Sequence, residues 1–189
     1  MQNSGVTWMN KPTDEQIRQA VDLLRNANID AKDGLSNELF WLVSSLIPIA
    51  NVDLLVVNPK KGELLLERRN DSFYEKSWHI PGGCIRYGET MLHRVQETAL
   101  EELHSTVEIT PEPLAICDVL RGPNPVQQYP NERGHNITIL FQCKLPENYL
   151  IDNGNLREED QGYLRWFSKL PPDFMKLQNV YKYLLDPWR

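Results

Sequence analysis

The chain lacks what would tie it to a long polyanion, a membrane or an oxidising compartment. Lysine and arginine number 20 against 26 aspartates and glutamates, for a net charge of −6. A phosphate backbone is held by clustered cations, so this balance excludes a general nucleic-acid binder, though not a small anion held by a metal ion and a few arginines. There are three cysteines, Cys84, Cys117 and Cys143. An odd number at wide spacing is neither a disulfide framework nor a zinc pattern, and it predicts free thiols in a reducing compartment. The longest apolar run, Leu39 to Ala50, is broken by Ser44, Ser45 and Pro48 and falls short of the roughly 20 residues that span a bilayer. The opening Met-Gln-Asn-Ser-Gly-Val-Thr has no basic start and no apolar stretch, which predicts no signal peptide. No internal repeat is visible. These absences predict a cytoplasmic protein without membrane contact.

The chain does have enough apolar sequence for a core, 41% of 189 residues, which suits one domain with an extension. Thr13 followed by Gln16 reads as a capping box, and Ile17, Ala20, Val21 and Leu24 then recur at helical spacing. This predicts a helix from Thr13 to Asn28. A second begins near Ser36, carries Leu39, Leu42, Val43 and Leu46 on one stripe, and ends at Pro48. Together they predict a helical extension over residues 1–46, ahead of a main domain over 47–189.

Ile49 to Val57 is apolar and β-branched and reads as a buried strand, with Pro59-Lys60-Lys61-Gly62 as a turn and Glu63 to Glu67 as its hairpin partner. Trp78 to Pro81 predicts a short strand running into a Gly82-Gly83 loop. Glu89 to His104 predicts the best helix, with Leu92, Val95, Ala99 and Leu103 inward and Arg94, Glu97, Thr98 and Glu101 on the opposite, solvated side. Further strands are predicted at Leu114–Leu120, Ile137–Lys144 and Tyr163–Phe167. A polar loop separates the first two, and a terminal helix spans Val180–Leu185. Strands and helices mix without a regular βαβα rhythm, which predicts an α/β fold with a mixed sheet flanked by helices.

The chemistry concentrates in Pro81-Gly82-Gly83-Cys84-Ile85-Arg86-Tyr87-Gly88-Glu89 and the carboxylates that follow, Glu97, Glu101 and Glu102. Carboxylates gathered on a helix after a tight glycine loop repel one another unless a cation sits among them. A hard divalent ion such as Mg²⁺, with Mn²⁺ as the alternative, takes oxygen ligands and brings a substrate phosphate with it. The bland readings stand beside this one: Glu101 and Glu102 as a solvated helix face, and Glu89 as a favourable charge at a helix N-terminus. Asp53 inside an apolar strand points to function, because a buried carboxylate is costly without a partner.

This loop and helix resemble the box of the Nudix hydrolases, whose pattern is Gly, five residues, Glu, seven residues, then Arg-Glu-U-x-Glu-Glu-x-Gly-U with U bulky and aliphatic. Gly83, Glu89, Glu101 and Glu102 match; Glu97, Thr98 and His104 stand where the pattern has Arg, Glu and Gly. The run from Leu46 to Asn58, Gly62 to Arg69, Trp78 to Gly83 and the Tyr163-Leu164-Arg165-Trp166-Phe167 segment look like the GDP-mannose mannosyl hydrolase branch, which also lacks the first helix Glu. The resemblance implies a Nudix α/β/α sandwich with a mixed central sheet. It implies an Mg²⁺-dependent homodimer that releases nucleoside diphosphate and sugar from a nucleoside diphosphate sugar. Carried over, the Gly82 carbonyl and Glu102 would ligate the metal, with Glu101 a further candidate. Asp53 would lie near the sugar and Arg69 on the diphosphate. The branch's arginine after the Gly pair is Cys84 here, with Arg86 two residues on, and His135 matches a histidine that opens a strand. The branch's loop histidine base is absent, so Glu159 or Asp160 is expected in that role. Two alternatives remain open: a pyrophosphatase that cleaves a P–O–P bridge, and a Nudix-like nucleotide-binding module without strong catalysis.

Overall fold

Two capped helices lead into the sheets. The computed structural model describes residues 12–27, 29–71, 76–121 and 134–189; most of the loop expected between Arg121 and Gly134 lies outside them. Thr13 caps α1 (Asp14–Asn26), and the Gln16 side chain reciprocates, as the capping box predicts. Ser36 caps α2 (Asn37–Leu46), and Ile47 turns the chain to extended geometry ahead of Pro48.

The central strand is β1 (Ile49–Val56), with two neighbours. The rest of the chain forms β2 (Leu64–Arg69), β3 (Ser77–His79), β4 (Gly82–Cys84), α3 (Met91–Leu103), β5 (Glu108–Ile109), β6 (Ala115–Leu120), β7 (His135–Lys144), β8 (Leu164–Phe167) and α4 (Lys182–Leu185). β1 runs parallel to β7 and antiparallel to β4, and β7 pairs antiparallel with β5 and β6 on its other edge. A second sheet has β2 between β3 and β8, all antiparallel. The α/β class with a mixed sheet is therefore as expected.

Three details differ from expectation. The turn after β1 forms, with Gly62 N donating to Asn58 O at 2.8 Å and Asn58 N to Glu63 O at 2.8 Å. Beyond the single bridge Val57–Leu64, however, β2 leaves for the other sheet instead of completing a hairpin. The reason is that a strand has two edges, and β4 and β7 occupy both edges of β1. Next, Gly82-Gly83 forms strand β4 rather than a loop. A Cβ at Gly82 would collide with Asp53 Oδ1, and one at Gly83 would lie 2.5 Å from Thr98 Oγ1, so only glycine lets this strand lie between β1 and α3. Finally, the terminal helix is just the four residues of α4, set between 3₁₀ turns at 176–181 and 186–188.

Two apolar clusters hold the sheets together. Val52, Leu54, Leu65, Val95, Ala99 and Phe141 pack under α3. Leu55, Leu66, Trp78, Ile80, Tyr181 and Trp188 form the second cluster, beneath the C-terminal turns. Trp188 Nε1 donates to Gly62 O at 2.6 Å, which anchors the chain end to the β1–β2 turn.

Candidate active site

The site is built where β4 is pinned between α3 and the second sheet. Gln178 braces the entry: its amide accepts from Ile80 N at 2.7 Å and donates to Ile80 O at 3.0 Å. Leu54 N bonds to Pro81 O and Ile85 N to Ala50 O. The intervening partners Asp53 and Gly82 therefore form a non-hydrogen-bonded pair, and the Gly82 N–H and C=O both point away from β1. The N–H donates to Glu102 Oε2 at 2.9 Å. Gly82 and Glu102 are thus brought together, with the Gly82 carbonyl on the same side.

Glu101 faces other partners. Arg86 Nη2 reaches its Oε1 at 3.2 Å and Arg94 Nη2 its Oε2 at 2.6 Å. Arg94, expected in solvent, is only 1% exposed. Its Nε donates to Thr98 Oγ1 at 3.1 Å and its Nη1 lies 3.5 Å from Glu89. A guanidinium is stable at this depth because carboxylates and a hydroxyl surround it. The helix consequently buries Thr98 as well as Val95, Ala99 and Leu103, while Leu92 is exposed. Arg86 also donates its backbone N–H to Glu89 at 2.8 Å.

Two residues that the sequence reading did not assign to the site complete this region. Glu67 on β2 and His79 on β3 sit directly opposite each other, each 4% exposed. The Glu67 carboxyl is in hydrogen-bond contact with that of Glu102. Burial pushes both carboxyls above their ordinary range, and the charge of Glu67 raises Glu102 further. His79 Nδ1 lies 2.8 Å from Ile80 O. A carbonyl only accepts, so Nδ1 carries the proton. Burial, with the nearby charge of Arg69, lowers the imidazole to about 3, so the ring is neutral with its lone pair on Nε2. Glu67 Oε2 and His79 Nε2 are 3.9 Å apart, and neither has a hydrogen-bond partner.

A cleft beside this cluster is lined by Asn51, Asp53, Arg69, His79, Gly82 and Thr138 among others. Asp53 is buried and accepts from Thr138 at 2.5 Å, Tyr181 at 2.6 Å and Asn51 at 3.3 Å. Burial outweighs those bonds and raises the carboxyl to about 6. Arg69 donates to Asp71 at 2.6 Å, and its charge is felt by Asp53, Glu67, Glu102 and His79. His135 sits at the start of β7, 3.1 Å from Asp118. Glu159 and Asp160 both pair with Arg157 at 3.2 Å, and hydrogen bonds from Arg157 hold Asp160 below its ordinary range. Their loop docks on β2, with Asn70 donating to Glu159 O at 3.0 Å and Gly162 N to Arg68 O at 2.9 Å.

A mixed sheet with a glycine strand leading toward an acidic helix makes this an α/β protein whose carboxylates suit a hard cation. Residues 48–177 match the NUDIX domain, and the chain belongs to that family, the Nudix hydrolases. Its members act on small nucleotide-derived substrates, generally with a divalent metal such as Mg²⁺. Among solved structures, a MutT NUDIX hydrolase from Burkholderia pseudomallei is 18% identical, covers 71% of this chain and 95% of its own, and has a TM-score of 0.54. A protein described as a possible asymmetric diadenosine tetraphosphate hydrolase from Jonesia denitrificans is 16% identical, with 72% and 91% covered and a TM-score of 0.51. A UDP-X diphosphatase is 20% identical, with 95% and 88% covered and a TM-score of 0.49. At these identities the likeness to the first two is one of fold. A comparison with curated proteins finds none that matches. Among the described residues no helix is long and apolar enough to cross a membrane.

The donor set fits a divalent cation. A buried carboxyl, Glu67, and a half-buried one, Glu102, meet near the Gly82 carbonyl that points away from β1, which is the oxygen chemistry a hard ion takes. Among the described residues no three His, Cys, Asp or Glu side chains already close round a common point.

Proposed function

We propose that this protein hydrolyses a nucleoside diphosphate sugar, GDP-mannose-like, to nucleoside diphosphate and sugar, with one divalent cation held by Glu102 and the Gly82 carbonyl. The observation that carries the reading is the Arg94 guanidinium, bonded to Thr98 and Glu101. In the box pattern, position 98 is a carboxylate that shares metal with its helix neighbours. Here a fixed cation lies against a threonine at that place and draws Glu101 to itself, which favours one metal ion at Glu102. A bound Mg²⁺ or Mn²⁺ neutralises charge that builds on a departing diphosphate.

The chain's own groups take the remaining roles. Arg69, on the cleft wall, binds the diphosphate as a fixed fork of donors. Arg86 approaches the leaving group from the loop after β4. Asp53 orients a sugar hydroxyl with Thr138 and Tyr181 beside it. Glu159 and Asp160, on the loop docked against β2, are assigned the role of accepting a proton from the attacking water, in exchange for their pairing with Arg157, and His135, at the start of β7, is assigned to the substrate. Residues 1–46 form an extension to a catalytic domain at 47–189, and a Cβ at Gly34 would come 3.9 Å from Arg86 Nε. The active form is a homodimer in the cytoplasm.

The test is a panel of nucleotide sugars with Mg²⁺ in ¹⁸O water, with products identified by mass. Label in the released sugar supports attack at carbon. Label in phosphate establishes the second reading, pyrophosphatase chemistry, which the pairing of both loop carboxylates with Arg157 favours over base catalysis at that loop. Binding without turnover establishes a nucleotide-binding module. Light scattering in solution settles the dimer.

A further inference from the structure

Resting on the assignment of the cation to Glu102 and Gly82, we infer that Glu67 and His79 are further ligands of the same ion. The site is then a mixed nitrogen–oxygen site that prefers a borderline metal such as Mn²⁺ or Co²⁺ over Mg²⁺. The argument starts from two orphaned atoms. Glu67 Oε2 and His79 Nε2 lack any hydrogen-bond partner on side chains that are each 5% exposed. Buried polar atoms are nearly always paired, and an exception calls for an explanation. Both belong to directly opposed residues of β2 and β3, so the sheet register brings them together, and they stand 3.9 Å apart. Two ligands of one ion at about 2.1 Å stand between roughly 3 Å apart when adjacent and roughly 4.2 Å when opposite. The observed distance lies inside that range.

The histidine is also prepared as a ligand. Its Nδ1–H is spent on Ile80 O, and that carbonyl is braced by Gln178. A metal-binding imidazole characteristically donates its other nitrogen to a backbone carbonyl in this way, which fixes the tautomer and aims the lone pair. Glu67 meanwhile reaches Glu102 through its carboxyl. That hydrogen bond has to open for the groups to share an ion, and the exchange of a carboxyl–carboxyl contact for a common cation joins β2, β3, β4 and α3 at one point. Imidazole as a donor favours later first-row ions, whereas an all-oxygen set suits Mg²⁺.

The test uses the full-length protein, stripped of metal and reloaded. Pulsed electron paramagnetic resonance of the Mn²⁺ form is expected to show nitrogen coupling from a directly bound imidazole. Calorimetry is expected to show tighter binding of Mn²⁺ than of Mg²⁺. His79→Leu is expected to remove the nitrogen signal and to weaken Mn²⁺ by about tenfold or more, by analogy with outer-shell losses of that size, while Mg²⁺ changes less. Glu67→Gln is expected to weaken both ions. Bound Mn²⁺ without nitrogen coupling in the wild type overturns the inference, even if His79→Leu does not fold, and leaves the Glu102 site standing. An unchanged Mn²⁺ to Mg²⁺ ratio in a folded His79→Leu protein overturns it equally. If neither ion binds the wild type at all, the cation assignment at Glu102 fails with it, and Glu102→Gln, expected to abolish binding, marks that boundary.

Discussion

Two buried titrating groups should drive the stability of the metal-free protein in opposite directions with pH. His79 takes a proton at 6.5 in an unfolded chain but only at about 3 in the fold. Below pH 6.5 the unfolded state therefore binds more protons, and the stability present above 6.5 is lost as the pH falls toward 3. Asp53 behaves the other way. Its carboxyl moves from 3.8 to about 6, so between those values the folded state holds a proton that the unfolded one lacks, and stability rises as the pH falls through that window. Each pH unit within a window is worth about 1.4 kcal/mol. Between about pH 7 and about pH 4.5, His79 costs about 3 kcal/mol and Asp53 returns about 2 kcal/mol. Glu67 and Glu102, also raised by burial, act in the direction of Asp53. The assay is urea unfolding across that range with a chelator present. His79→Gln should improve the acid stability relative to neutral by about 3 kcal/mol compared with wild type, and Asp53→Asn should worsen it by about 2 kcal/mol. The amide introduced by Asp53→Asn keeps an acceptor oxygen for the Thr138 and Tyr181 hydroxyls but loses the one that accepts from Asn51, a loss that is the same at every pH and so leaves the slope to the charge. A His79→Gln curve running parallel to wild type through the window would refute the reasoning.

Removing the Arg94 guanidinium by Arg94→Met should destabilise the fold by about 3 kcal/mol or more, since it leaves Glu89 and Glu101 without their buried partner; a loss below about 1 kcal/mol in urea titration would contradict a structural ion pair. In the paired variant Arg94→Gln/Thr98→Glu, the number of Mn²⁺ ions bound in calorimetry should rise from one to two, and no rise would remove the support that Arg94 gives to a one-ion site. Gly83→Ala should cost about 1–3 kcal/mol from overpacking against Thr98, and Thr98→Ala made alongside it should recover part of that loss; strictly additive thermal shifts would show that the contact is not limiting. Mn²⁺ at about 100 times its dissociation constant should raise stability by about 2.7 kcal/mol, an effect that Glu102→Gln should remove in the same denaturation experiment.

What could be read from the sequence was whatever neighbouring residues decide among themselves. Thr13 with Gln16 announces α1 because both halves of the cap lie within one turn. The Val95, Ala99 and Leu103 stripe announces α3 because helical period alone places it. Gly82 and Glu102 were within reach because a motif carries them. The hairpin after β1 failed for the opposite reason: the local turn is real, but the choice of partner for β2 depends on β4 and β7, which come later in the chain. Arg94 failed similarly. Periodicity places it opposite the apolar stripe, and only the missing side chain at Gly83, which lets β4 approach Thr98, turns that side of the helix into a second buried face.

Glu67 and His79 mark the limit more sharply, because the rule that found Asp53 also applied to them. A carboxylate at the end of Leu64-Leu65-Leu66 and an imidazole between Trp78 and Ile80 each stand among residues that are at most 3% exposed. A polar group in such company has to be paired, neutralised or used. What the sequence withheld was their register, because 11 residues of intervening chain, four of them outside the described residues, separate two positions that the sheet sets face to face. Taken singly, each resembles an ordinary buried polar residue. Set opposite each other with their open valences turned inward beside Glu102, they make a place where a cation satisfies several groups at once. The exception to ordinary pairing is thereby part of the chemistry and not a defect of the core.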